Sequence, residues 1–146
     1  MNSIKGKFAL VTGGTQGLGA AIAKNFADSG AEGVVTIGRK EDKGNEVAKK
    51  IQDETGCKVI FVKTDLGEVQ ECRNAVSVAK QEFGRLDVLV NAAGITDRGD
   101  IVNTSEELFD KMIGTNLKGP YFLIQETVKI MIEQNIEGSI INIGSV

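Results

Sequence analysis

The stretch FALVTGGTQGLGAAIAKNFADSG, residues 8–30, restricts this chain more than any other feature. A compact apolar run that stops at glycine marks a strand buried on both faces, not one with a wet side. The residues after the turn place Leu18, Ile22, Ala23, Phe26 and Ala27 on one helical face, and Gly30 is a natural stop. A doubly buried strand followed at once by a helix forces the helix back over the sheet, which is the first half of a parallel crossover.

The pattern repeats along the chain. GVVTIG reads as a second strand and KGNEVAKKIQDETG as a helix with Val47, Ala48 and Ile51 inward. KVIFVKTD is a third strand, and from Val69 the residues Cys72, Ala75, Val76, Ala79 and Phe83 keep helical spacing. LDVLVNAAG is a fourth strand and GSIINIGSV a fifth, reached through a long helix that Thr104 or Ser105 can cap and that runs to about Gln134. Pro120, the only proline, falls inside that helix between Gly119 and Tyr121, so a kink or irregular backbone is expected near Asn116. Five strands alternating with helices predict an α/β fold, a doubly wound parallel sheet with helices on both faces. No linker, repeat or composition shift divides the 146 residues, so one domain spanning 1–146 is expected.

Composition removes several chemistries. There is no histidine, which leaves no Ser-His-Asp triad, and Cys57 and Cys72 lack the spacing of a zinc site. A net charge of -3, with no basic run, argues against nucleic acid as a partner. No stretch approaches the ~18 consecutive apolar residues of a membrane span. These features predict a cytoplasmic protein with reduced thiols and no membrane partner.

Between the first strand and helix, Gly13, Gly17 and Gly19 stand in the spacing Gly-x-x-x-Gly-x-Gly, with Thr15, Gln16 and Leu18 interleaved. Glycines here let a pyrophosphate approach the main chain, and the helix N-terminus adds unpaired N–H groups and partial positive charge. The alternative is a flexible turn with incidental glycines.

Thr12-Gly13-x-x-x-Gly17-x-Gly19, then Asp65-Leu66 after the third strand, then Asn91-Ala92-Ala93-Gly94 after the fourth, resemble the short-chain dehydrogenase/reductase family in order and along the whole chain. The resemblance implies a Rossmann fold and NAD(P)-dependent oxidoreduction of alcohols and ketones, as in 3-oxoacyl-carrier-protein reductases. Within it, Asp65 is expected to accept from the adenine amino group with Leu66 on the ring edge, or to cap the following helix; the two roles are compatible. Asn91 lies where ligands bind in open parallel sheets, or else staples neighbouring turns, and Ala92, Ala93 and Gly94 are small enough for a ribose to approach. The second strand ends in TIGRK: Gly38 stands where an NAD-selective carboxylate would be, followed by Arg39 and Lys40, which favours NADP(H) over NAD(H). A solvated basic turn is the competing reading. Gln16 occupies a position where NADP-preferring relatives often carry a second basic residue.

The resemblance also implies a Tyr acid/base, a Lys that lowers its pKa, a Ser that polarises the substrate oxygen and an Asn that supports the relay. By motif position these last two are Ser145 and Asn116. The Tyr-x-x-x-Lys pair would follow beyond Val146, so the chain is expected to be the N-terminal portion of a longer enzyme and inactive alone. Tyr121, followed four positions on by Gln125, is read as a packing residue. A small carbonyl or alcohol is the implied substrate, and a homodimer or homotetramer the implied assembly. The rival reading is a non-catalytic dinucleotide-binding or redox-sensing module.

Overall fold

The computed structural model describes residues 3–97 and 99–144. Its elements follow the expected alternation: β1 (Phe8–Thr12), α1 (Gly17–Asp28), β2 (Gly33–Gly38), α2 (Glu41–Thr55), β3 (Lys58–Lys63), α3 (Val69–Phe83), β4 (Val88–Asn91), α4 (Glu106–Ile113), a π-helical turn (Gly114–Lys118), α5 (Gly119–Glu133) and β5 (Ser139–Asn142). The strands form one parallel sheet in the order β3-β2-β1-β4-β5. Leu10 sits opposite Val35 on one side and Leu89 on the other, so β1 is flanked by strands reached in opposite directions along the sheet. That reversal splays the connections at the carboxyl edge and opens a crevice there.

Alternation along each strand divides the core. Ala9, Val11, Val34 and Val59 meet Ala23 and Ala27 of α1 and Ala48 and Ile51 of α2. Leu10, Val35, Ile37 and Leu89 meet Cys72, Ala75 and Val76 of α3 and Leu123 and Ile130 of α5 on the opposite face. Leu18 does not join the buried stripe expected of it and is 53% exposed. It lies in the first turn of α1, beyond the ends of the strands, where no sheet remains to cover it.

At the amino edge stands Asp87, buried at 1% exposure. Its Oδ2 accepts from the Phe8 N–H at 3.0 Å, its N–H donates to the Phe8 carbonyl at 2.9 Å, and Arg85 and Lys7 supply the countercharge. A carboxylate this deep is tolerable only with such hydrogen bonds and cations around it.

The long helix is one continuous run in three parts. Ser105 caps it, its hydroxyl accepting from the Leu108 N–H at 3.2 Å. The expected irregularity is the π turn, in which the Gly119 N–H reaches back five residues to the Gly114 carbonyl. Pro120 then stands within the first two positions of α5, so its missing N–H falls where the π turn already interrupts the regular ladder. Tyr121 is not the packing residue expected: its side chain is 59% exposed, because the buried line of α5 runs through Gly119, Leu123, Thr127 and Ile130 and Tyr121 falls on the far side. Among the described residues no helix is long and apolar enough to cross a membrane.

Both thiols are buried. Burial, then the Glu71 and Asp65 carboxylates, push the Cys72 thiol up to about 11; burial, then Glu32, raises that of Cys57. Neither should therefore react with iodoacetamide at neutral pH in the native protein, whereas both should be alkylated in urea. Mass spectrometry before and after denaturation checks this, and fast native labelling of either cysteine would contradict the packing.

Candidate functional site

At the carboxyl edge, Thr12 ends β1 with no exposed surface, and its Oγ1 accepts from the N–H groups of Ala92 and Ala93 at 2.9 and 2.8 Å. One hydroxyl thus ties the end of β1 to the turn after β4. The pairing draws the glycine turn so close that a Cβ on Gly13, whose φ is +76°, would lie 3.2 Å from Ala93. A Cβ on Gly19 would lie 2.4 Å from the Gly13 carbonyl oxygen, so α1 packs down on its own turn only without a side chain there. Gly14, outside the spacing read from the sequence, is equally constrained: a Cβ would fall 2.3 Å from that of Thr36.

These contacts leave a cleft of about 290 Å³ across β1, β4 and the amino end of α1. Of the predicted cofactor residues, Gly13, Thr15, Gln16, Gly17, Leu18, Gly19, Arg39, Asp65, Leu66, Ala92, Ala93 and Gly94 line it. Arg39 reaches it from the end of β2, and Asp65 and Leu66 close the far side. No side chain caps α1, which leaves the N–H groups of its first turn facing this space. Gly38 brings the end of β2 against the turn, where a Cβ would meet Thr15 Cγ2 at 3.1 Å.

Two predicted residues lie elsewhere. Lys40 precedes α2 and is exposed outside the cleft. Asn91 is 5% exposed, and its Nδ2 donates to Asn142 Oδ1 at 2.9 Å across β4 and β5, while its own Oδ1 has no partner among the described residues. Asn91 lines a neighbouring hollow with Asn116, Pro120 and Asn142. Asp65 does not cap α3, because the helix begins only at Val69 after Glu68. Its Oδ1 instead accepts from the Gly67 N–H at 2.9 Å and folds the connection into a tight turn beside the cleft.

Asn116 sits in the π turn, and its amide grips the backbone of Ile95, with Nδ2 donating to the carbonyl at 2.8 Å and Oδ1 accepting from the N–H at 2.9 Å. The loop after β4 is thereby fastened to the long helix. An α-helical partner for the Asn116 carbonyl would be the N–H of residue 120, which proline lacks. Ser145 lies outside the described residues. Thr12, named in the motif but given no role, and Gly14, Thr64, Ile95 and Thr115, which the sequence did not single out, belong to the site or its support. Only Thr12 carried a signal, its place before Gly13; the others reach the cleft through folding.

Thr12 carries two buried N–H groups, so Thr12→Val should leave both unsatisfied and destabilise the fold by about 2–4 kcal/mol. Urea denaturation measures the loss; a change below about 0.5 kcal/mol would mean that these bonds do not hold the cleft.

The family model for short chain dehydrogenase matches residues 7–146. An uncharacterized oxidoreductase of Staphylococcus saprophyticus is 37% identical over 146 residues, which is 100% of this chain and 62% of the relative. A 3-oxoacyl-[acyl-carrier-protein] reductase of Chlamydia muridarum is 38% identical over 147 residues, covering 100% of this chain and 58% of its own length. The crystal structure of a short chain dehydrogenase from Burkholderia cenocepacia in complex with NADP superposes with a TM-score of 0.89 at 33% identity, over 99% of this chain and 57% of that one. The chain thus spans only part of the length of the relatives it matches. With the glycine turn, the Thr12 clamp and the Asn116 anchor in place on a five-stranded parallel sheet, the chain belongs to the short-chain dehydrogenase family.

Proposed function

We propose that residues 1–146 are the dinucleotide-binding portion of an NADP(H)-dependent oxidoreductase acting on a small ketone or secondary alcohol. The observation that carries this reading is Arg39 lining the same cleft as the glycine turn, directly after a strand that ends in Gly38 and presents no carboxylate there. A guanidinium pairs with a 2′-phosphate in a two-pronged contact, and a carboxylate in that place would repel it. The NADP in the Burkholderia relative supports the same cofactor.

The cleft fits such a group by its own geometry. Gly13 and Gly19 leave the space that a pyrophosphate needs against the main chain, and the uncapped first turn of α1 offers N–H donors for it. Asp65 keeps one carboxylate oxygen outside its Gly67 turn and so can accept from the adenine amino group, with Leu66 beside it. NADP(H), when bound, supplies the hydride or takes it up at its nicotinamide ring. Ser145, by its motif position, donates a hydrogen bond to the substrate oxygen. Asn116 acts as a positioning residue: its side chain is committed to Ile95, so its part in a proton relay falls to its main-chain carbonyl. Phe109, Ile113, Leu117 and Tyr121, exposed at four-residue spacing along the helical run, support a homo-oligomeric assembly.

Arg39→Ala should weaken NADPH by about tenfold or more while leaving NADH within about twofold, as read by calorimetry on the full chain. Equal losses for both dinucleotides would refute the phosphate assignment. In an enzyme that carries this chain, Ser145→Ala should lower kcat by about a hundredfold without loss of NADPH binding. Tight NADPH binding with no turnover of any ketone or alcohol would favour the redox-sensing module.

A further inference from the structure

Gln16 lies on the cleft wall with Arg39, yet its uncharged amide brings no positive charge to meet a phosphate dianion. Nor does it cap its own helix: it occupies the residue before α1 with an extended backbone and makes no side-chain bond to the first turn. Its Oε1 instead accepts from Lys43 Nζ at 2.8 Å. Lys43 belongs to the first turn of α2, so this contact joins the glycine turn after β1 to the helix after β2. Among the described residues this is the only side-chain hydrogen bond of Lys43, which is exposed and touches the cleft only through Gln16, and no carboxylate pairs with it there.

We propose that Lys43, positioned by Gln16, is a second cation of the 2′-phosphate site and a determinant of NADP(H) selectivity. This rests on the dinucleotide reading given above. The local charge balance shows why a second cation matters. From residue 39 to 43 the chain carries Arg39, Lys40 and Lys43 against Glu41 and Asp42, three positive less two negative, a net of +1. Without Lys43 the same segment sums to zero, and Arg39 would face a dianion with two carboxylates close by in sequence. Glu41 and Asp42 favour the amino end of α2 through its dipole, and Lys43 in the same turn offsets part of their charge. A neutral amide holds the ammonium without compensating its charge, whereas a carboxylate partner would offset it. The hydrogen bond also limits the freedom of a flexible stem, so less order has to be imposed when an anion arrives.

The experiment compares 2′,5′-ADP with 5′-AMP, two probes that differ only in the 2′-phosphate, on the full chain by calorimetry or NMR titration. Lys43→Gln should weaken 2′,5′-ADP by about threefold to tenfold and leave 5′-AMP within about twofold. Gln16→Ala should give a smaller loss with the same selectivity. The double variant should be no weaker than Lys43→Gln alone, because the glutamine acts through the lysine. If Arg39→Ala lowers 2′,5′-ADP affinity but Lys43→Gln does not, the role of Lys43 is overturned and the dinucleotide reading stands. A loss shared equally by both nucleotides also overturns it, since that pattern reports damage to the cleft and not a lost phosphate contact. Failure of the unsubstituted chain to bind either nucleotide would remove the dinucleotide reading and this proposal together.

Discussion

The Thr12 hydroxyl is the contact on which the carboxyl edge of the sheet depends. It has no exposure and accepts from two consecutive backbone N–H groups, so the end of β1 and the turn after β4 cannot move apart without stranding both donors. Everything that lines the cleft is placed relative to those two segments. The turn itself has little room for side chains: a Cβ would press on Ala93 at Gly13, and would collide with Thr36 at Gly14 and with the Gly13 carbonyl at Gly19.

The two edges of the sheet solve opposite problems. At the amino edge Asp87 fills its hydrogen bonds with the backbone of Phe8 and its charge with Arg85 and Lys7, which leaves its carboxylate fully partnered. At the carboxyl edge polar groups are left open: the first-turn N–H groups of α1, one oxygen of Asp65 and Oδ1 of Asn91. Groups of that kind are costly in a finished core and suited to a ligand. The contrast follows from topology, because strand order reverses beside β1 and only one end of a parallel sheet then has connections that diverge.

The helical run from α4 to α5 shows how a local irregularity is put to use. Without its N–H, Pro120 cannot complete the ladder, and the π turn takes up the mismatch with glycine at both ends. The turn carries Asn116 to where its amide meets both polar groups of Ile95, and so ties the loop beside the cleft to a helix packed on the sheet.

Sequence by itself determined the order and type of the elements, since buried strands, glycine stops and helical stripes are local patterns that the packed sheet reinforces. It also marked the glycine turn, Arg39, Asp65 and the Asn91–Gly94 segment, because each sits at the end of a legible strand. Tertiary structure alone decided which of these meet. Lys40 stands exposed outside the cleft and Asn91 lines the hollow beside it, and Asp65 became a turn rather than a cap, because the start of α3 is set by packing and not by the nearest capping residue. Leu18 and Tyr121 carry apolar character yet remain exposed, for helical spacing says which residues share a face but not where the sheet beneath them ends. The contact between Gln16 and Lys43 lies beyond any pattern in the chain: it spans 27 positions and two different crossover units, and only the closing of the sheet brings its ends together.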